Sequence, residues 1–334
     1  MAPSKDWKEI VAPDEEARFT VFAEQFVELQ RMNAYQGQVG RAVHHKFNGG
    51  FEARLEILAD LPEPARHGLF AEPKVYDALV RYSNGSSVVQ SDDKGDVRGM
   101  AVKVLNVDGP KAIGAARTQD FLSILQSTTP FRNANEFVGV LYASRTPLLA
   151  LPRIFLAVGF RAFSIVPKLI KVVKPPVASL ADRSFFSALP IQCGPYAARF
   201  AFVPIAAPHG DGIPTGPTHL HDDLTARLQK GPIEFALELQ FFVDEKRTPI
   251  EDGSVDWPVD IAPYVRVAKL TLPQQDAASE HGKQVAERID KLSFDPWHAL
   301  LEHRPLGGMM RARKPTYFAS AQSRSAKGEP EGKA

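Results

Sequence analysis

Arg313-Lys-Pro-Thr-Tyr317-Phe-Ala-Ser-Ala-Gln-Ser-Arg324 closes the last apolar part of this 334-residue chain. Pro315 suits the first position of a helix, where a missing N–H costs nothing, and Gly328 is placed to end it. On such a helix Tyr317 and Arg324 share a face, about 10 Å apart along the axis. Arg313 precedes the proline and is expected outside the helix body, able to curl back onto the phenol oxygen. A free phenol titrates near pH 10. Ligation of a metal needs phenolate, which a neighbouring cation favours. The alternative reading is an amphipathic helix whose arginines face solvent.

Working outward, the N-terminal residues 14–36 place Phe19, Phe22, Phe26 and Leu29 at helical spacing. The period then changes. Residues 51–58, 78–82, 100–105, 197–203, 233–243 and 264–272 read as strands bounded by turn formers. In 233–243, Phe235, Leu237 and Leu239 alternate with Glu234, Glu238 and Gln240, as in an antiparallel sheet with one buried face. Helices are expected at 134–143, 152–173, 223–229 and 284–292. The reading is an α+β fold, an antiparallel β-barrel wrapped by helices. It forms a single domain over 1–334: helix 14–36, barrel 40–275 with a helical insert at 134–173, and a helical part at 284–325.

Composition removes several functions. A formal net charge of +1 leaves no footprint for nucleic acid. Cys193 is the single cysteine, so no intrachain disulfide or cysteine-metal cluster can form. The first 17 residues lack the apolar core of a signal peptide, and the expected location is cytoplasmic. Residues 148–173 are apolar but carry Arg153, Arg161, Lys168 and Lys171 and two prolines, which argues against a transmembrane segment. Two helices packed on the body is one reading; a lid or membrane-surface patch serving a lipophilic substrate is the other.

Far upstream stand Arg41-Ala-Val43-His44-His45-Lys46, then Val80-Arg81-Tyr-Ser83-Asn-Gly and Asp96-Val-Arg98-Gly-Met-Ala-Val-Lys103. With the C-terminal motif, these make the chain resemble the haem-dependent catalase superfamily, in particular its small catalase-related peroxidase branch. Matching segments cover residues 38–105, 117–140, 185–205 and 293–325. The resemblance implies a haem b (iron) cofactor with Tyr317 as axial ligand and Arg313 as phenolate partner. Arg41, Arg81 and Arg324 would neutralise the propionates, and Val43 and Phe131 would complete the haem-binding set. His44 would be the distal acid–base and Ser83 the acceptor that fixes its tautomer. The implied activity is reduction of hydrogen peroxide or organic and lipid hydroperoxides by an organic reductant. Small relatives tend to be homodimers. Alternatives on the same fold are a fatty-acid hydroperoxide isomerase or lyase, and a non-catalytic haem carrier or sensor. Related allene oxide synthases have threonine where Val43 stands, which argues against the isomerase.

One departure concerns the asparagine that catalases use to orient peroxide. The segment here reads Asp120-Phe-Leu-Ser-Ile-Leu125-Gln126-Ser-Thr-Thr-Pro130-Phe131. Either Gln126 substitutes with longer reach, or Leu125 is the equivalent and peroxide is held poorly. Weak catalase activity at most is expected in both cases. His45 is expected to point away from His44 along a strand. His219-Leu-His221 reads as a metal pair on a strand or as a loop ending in Asp222 as a helix N-cap. Asp92 and Asp93 read as solvent-facing turn residues and Cys193 as a packing residue, while Trp7, Trp257 and Trp297 suggest no function.

Overall fold

A computed structural model describes residues 1–35, 37, 39–173, 177–206 and 215–326. Helix α1 (Glu15–Met32) buries Phe19, Ala23, Phe26 and Leu29 along one stripe. The strands are β1 (Lys46–Ile57), β2 (Val75–Asn84), β3 (Arg98–Leu105), β4 (Thr118–Ile124), β5 (Phe185–Phe186), β6 (Ile191–Cys193), β7 (Tyr196–Pro204), β8 (Ile233–Phe241) and β9 (Tyr264–Leu272). Neighbours pair antiparallel in the order β5-β4-β3-β2-β1-β9-β8-β7-β6. Two residues close the ring: Phe186 pairs with Ile124 on one side and Ala201 on the other. Closure removes the free edges of an open sheet. The interior is filled by Phe51, Leu55, Tyr82, Val102, Phe121, Phe202, Phe235 and Leu270 among others.

Three strands fall outside the sequence reading. β4 lacks a clean apolar alternation because its Gln119 and Asp120 are buried. Lys103 of β3 meets the Asp120 carboxylate at 2.7 Å, both side chains fully buried, which removes the cost of an unpaired internal charge. The other two, β5 and β6, are too short to carry a pattern. Gln240 is buried instead of facing solvent; its amide donates to the carbonyls of Trp257 and Ala262 at 2.8 and 2.9 Å.

Between β4 and β5 lies the helical insert: α2 (Ala134–Ala143), α3 (Ala150–Val158) and α4 (Ala162–Val173). Residues 148–173 form two helices, as one reading expects, with the break at Gly159 and not at either proline; its φ of +56° with ψ of −141° is a combination only glycine adopts without strain. α5 (His219–Lys230) starts at His219 behind Thr218, so Asp222 is not its N-cap and the histidine pair is not on a strand. α6 (Glu280–Lys291) and α7 (Gly308–Ser323) end the described chain.

The largest local correction is in α7. Pro315 lies inside the helix, not at its start, and Arg313 belongs to the helix body. The preceding turns are held from outside. Glu9 accepts from Gly307 N at 2.9 Å, Glu251 from Gly308 N at 2.6 Å, and Glu15 and Glu9 grip Arg311. Carboxylates on the orphan N–H groups of a helix start favour it strongly enough to extend the helix upstream of a proline. Thr316 Oγ1 bonds back to the Ala312 carbonyl at 2.8 Å. The helix ends at Ser323; Gly328, expected to close it, lies outside the described residues.

Candidate active site

All ten candidate site residues line one cavity of about 430 Å³; Leu125, the alternative to Gln126, does not. Arg41, Val43 and His44 come from the bend before β1, Arg81 and Ser83 from β2, and Gln126 and Phe131 from the loop after β4. Arg313, Tyr317 and Arg324 come from α7 and its C-terminus. The cavity's lining is mostly apolar, with Val97, Met100, Ile124, Phe137, Leu169 and Val172. Such a shape suits a large, mainly apolar ligand oriented by a few polar groups.

His44 does not sit on a strand. It occupies a left-handed bend with φ of +57°, its N–H donating to the Gly85 carbonyl at 3.0 Å. The imidazole Nδ1 lies 3.0 Å from Ser83 Oγ. Its ring lies against Gly99 of β3, where an added Cβ would come within 2.6 Å of Cε1. Glycine within a strand often marks such a close approach, and Gly99 inside β3 is the sequence signal for it. Burial, with Arg81, Arg313 and Arg41 nearby, depresses the His44 pKa from 6.5 to about 3. The imidazole is therefore neutral over the ordinary pH range and able to accept a proton.

Across α7, Arg313 Nη2 donates to Tyr317 Oη at 2.5 Å. The four-residue spacing of a helix face makes this contact, so no curl from outside the helix is needed. Arg41, Arg81 and Arg324 converge at one end of the cavity. Arg41 donates to Asp290 Oδ1 at 2.9 Å and to the carbonyls of Asp290 and Leu292. Arg81 donates to the same carboxylate at 3.0 Å, and Arg324 to the Leu292 carbonyl at 3.1 Å. Burial lowers the pKa of all three guanidiniums, and repulsion from neighbouring arginines adds to it for Arg41 and Arg324, the latter falling to about 10. Burial alone would raise the Asp290 pKa, but Arg81 and Arg41 hold it below the usual carboxylate range. Arg41 and Arg81 share the one Asp290 carboxylate and Arg324 is held only by a carbonyl, leaving positive charge directed at the cavity. Asp290 carries no sequence signal of this role; it is one acid among many on an amphipathic helix.

Gln126 and Leu125 part company. Leu125 packs into the core. Gln126 lines the cavity; its Nε2 lies 3.4 Å from the Val172 carbonyl, and its buried Oε1 has no hydrogen-bond partner among the described residues. A buried, unpartnered amide oxygen facing a cavity is a site for a donor on a ligand. Phe131 packs at 5.3 Å from the Phe137 ring.

The remaining sequence candidates fall elsewhere. His45 Nδ1 lies 3.1 Å from the Ser87 carbonyl; the bend, not strand alternation, turns it away. His219 bridges the carbonyls of Gly216 and Val177 at 3.1 and 3.0 Å, and His221 approaches the Asn48 carbonyl at 3.2 Å. Among the described residues no group of His, Cys, Asp and Glu forms a metal site. Asp92 is fully buried, contrary to the solvent-facing reading. It takes Lys46 at 2.7 Å, Asn84 at 2.8 Å and the Leu220 N–H at 3.2 Å. Asp93 is exposed as expected, and burial pushes the Cys193 thiol up, making it inert.

No protein-family model matches the chain. It is 29% identical over 317 residues to a catalase-related peroxidase of Mycolicibacterium paratuberculosis, covering 89% of this chain and 94% of that protein. Its structure resembles a bacterial catalase (TM-score 0.66, 17% identity) and a fungal catalase (0.68, 16%). It also resembles catalase A of Saccharomyces cerevisiae (0.65, 15%). Each superposition covers 98% of this chain, but 63%, 66% and 68% of the respective catalases. The chain has the catalase fold and spans about two thirds of the length of these solved proteins.

Proposed function

We propose that this chain, which has the catalase fold and is 29% identical to a catalase-related peroxidase, is itself a catalase-related peroxidase, residues 1–334 forming one peroxide-reducing unit built around haem b. The observation that carries the reading is the Arg313–Tyr317 pair, 2.5 Å apart on one cavity with the His44–Ser83 pair. The residues present fit such a group in three ways. A phenol paired with a guanidinium is the donor set for a ferric ion. Three arginines converge beside one carboxylate, which pairs with two of them, and so have charge to spare for two more anionic groups. The bare Cα of Gly99 leaves the imidazole its place at the cavity wall.

Tyr317 would ligate the iron as phenolate, its charge held by Arg313. Arg41, Arg81 and Arg324 would take the propionates as charge-assisted pairs. When bound, haem supplies the electrons that O–O cleavage takes up, and an organic reductant restores them.

The proton work belongs to the chain. With Nδ1–H donated to Ser83 Oγ, the Nε2 lone pair of neutral His44 faces the cavity and takes the proton of a hydroperoxide. The same nitrogen returns it to the departing oxygen, general base and then general acid. Gln126 offers its free Oε1 to the peroxide O–H, the task catalases give an asparagine. Because its Nε2 is committed toward Val172, peroxide is held by one contact, and hydrogen peroxide dismutation is expected to be weak. The apolar lining favours hydroperoxides with an organic group.

The test begins with the visible spectrum of the purified, haem-supplemented protein beside Tyr317→Phe, then turnover of a chromogenic reductant with His44→Ala. A ferric tyrosinate spectrum lost in the first variant and turnover lost in the second support the reading. Absence of stoichiometric haem, or rearranged hydroperoxide products formed without consumption of reductant, overturns it.

A further inference from the structure

The helical insert exposes apolar side chains more densely than any other part of the described surface. Leu148, Leu156 and Phe160 are 95%, 87% and 90% exposed, and Leu151, Phe163 and Ile170 are also solvent-facing. Only Ile154, Ala162 and Ile165 of α3 and α4 are fully buried, so packing on the body does not account for the insert's composition. On α4, Phe163, Pro167 and Ile170 fall on one stripe, at about 100° per residue. Leu169 and Val172 lie on the opposite face and line the cavity. The rings of Phe155 and Phe163 meet edge to face at 4.9 Å, tying α3 and α4 into one surface. A continuous apolar patch of this kind marks an interaction site.

Charge selects the occupant. Residues 148–173 contain no Asp or Glu, and carry Arg153, Arg161, Lys168 and Lys171. Arg161 is held by Glu136 and Arg153 bonds Thr146 Oγ1. Lys168 and Lys171 are exposed, have no ion-pair partner among the described residues, and flank the apolar stripe of α4 on one side. Aromatic and aliphatic side chains edged by lysines, on helices too short to span a bilayer, are the make-up of a surface lying in the headgroup region of an anionic membrane.

We propose that the outer face of α3 and α4 docks on an anionic lipid bilayer, with Leu156, Phe160 and Phe163 in the acyl boundary and Lys168 and Lys171 on the headgroups. α4 then separates membrane from cavity by the thickness of one helix, and a hydroperoxide dissolved in the bilayer has the shortest route to His44 past Leu169 and Val172. The docking stands independently of the peroxide chemistry; only the use of that route rests on it.

The experiment is cosedimentation of the full chain with vesicles of phosphatidylcholine alone and of phosphatidylcholine mixed with phosphatidylglycerol, without peroxide or reductant. Binding is expected on the mixed vesicles. Phe160→Ser with Phe163→Ser lowers it about tenfold per ring. Lys168→Gln with Lys171→Gln lowers it about fivefold per lysine, on the anionic vesicles only. These side chains are exposed, and an unchanged melting temperature shows each variant folded. Failure of the parent to sediment, or binding indifferent to the paired aromatic substitutions, overturns the proposal. So does a concentration-dependent dimer in sedimentation velocity that the aromatic variant abolishes, which gives the face to a second copy. Vesicle binding by a protein that turns over no peroxide sinks the proposed function and leaves the docking intact.

Discussion

The two ends of the cavity are built on opposite plans. At the arginine end, Arg41, Arg81 and Arg324 are fixed by a carboxylate and by carbonyls at the end of α6, and the His44 backbone carbonyl accepts from Arg81 at 3.3 Å. At the helical end, the turn between α3 and α4 presents Phe160 to solvent and α4 presents Phe163, with few polar tethers. Charge-assisted hydrogen bonds are directional and fix atoms, while apolar contact is not directional and lets surfaces exchange partners. The first end is suited to hold chemistry in register, the second to meet something outside the molecule.

The sharpest way to break this contrast is to disturb the tethered end. His44→Ala is expected to lower reductant turnover by about 10²–10⁴-fold. Gly99→Ala should fall in the same range, since its methyl group would displace the imidazole. Parental turnover in Gly99→Ala would show that the ring need not be held. Next comes Arg313→Ala, expected to weaken haem retention by about 10–100-fold, measured by transfer of haem to an acceptor protein. Equal retention would remove the guanidinium from the site.

Acid stability sharpens the same point. His44 is held near pKa 3 and His303, buried against Leu69 N at 2.9 Å, near 4, both below the ordinary 6.5. Each adds stability that is present above pH 6.5 and is lost as pH falls toward its folded value. The slope is about 1.4 kcal/mol per pH unit for each group. Urea titrations of the cofactor-free protein between pH 7 and 4 should show it, and His44→Gln should flatten it. An unchanged slope would mean that the imidazole is solvated. By the same pKa, kcat/KM should have no acid limb near pH 6.5. Asp290→Asn should lower the cofactor-free Tm by a few degrees, equivalent to about 1 kcal/mol at this half-exposed carboxylate. The smallest effect belongs to the other end. Phe160→Ser should leave stability within about 0.5 kcal/mol and turnover of a water-soluble hydroperoxide within twofold.

Spacing alone makes only part of the tethered end legible: Tyr317 and Arg324, seven residues apart, read as sharing a helix face. Arg41, His44, Arg81 and Ser83 come through the resemblance of their motifs, and Arg313, expected outside the helix, lies within it one turn before Tyr317. What escaped were contacts between elements. Asp290 meets Arg41 across 249 positions. Asp92 carries turn chemistry, yet Lys46 and Asn84 bury it. Pro315 announces a helix start by its own chemistry, and the glutamates that extend α7 upstream come from distant residues 9, 15 and 251. The barrel was readable from its apolar strands and missed where a strand hides polar residues, as β4 does with Asp120.

The pairing of β1 with β9, joining residues 54–57 to 268–271, sets a timetable for biogenesis. A ribosome adding about 5–20 residues per second leaves β1, which pairs early with β2, without β9 on its other edge for tens of seconds. The contact separates residues by most of the chain, the kind of closure that makes folding slow. α7, which brings Tyr317, emerges later still. The newborn chain therefore presents unpaired strand edges long before a cavity exists to receive anything.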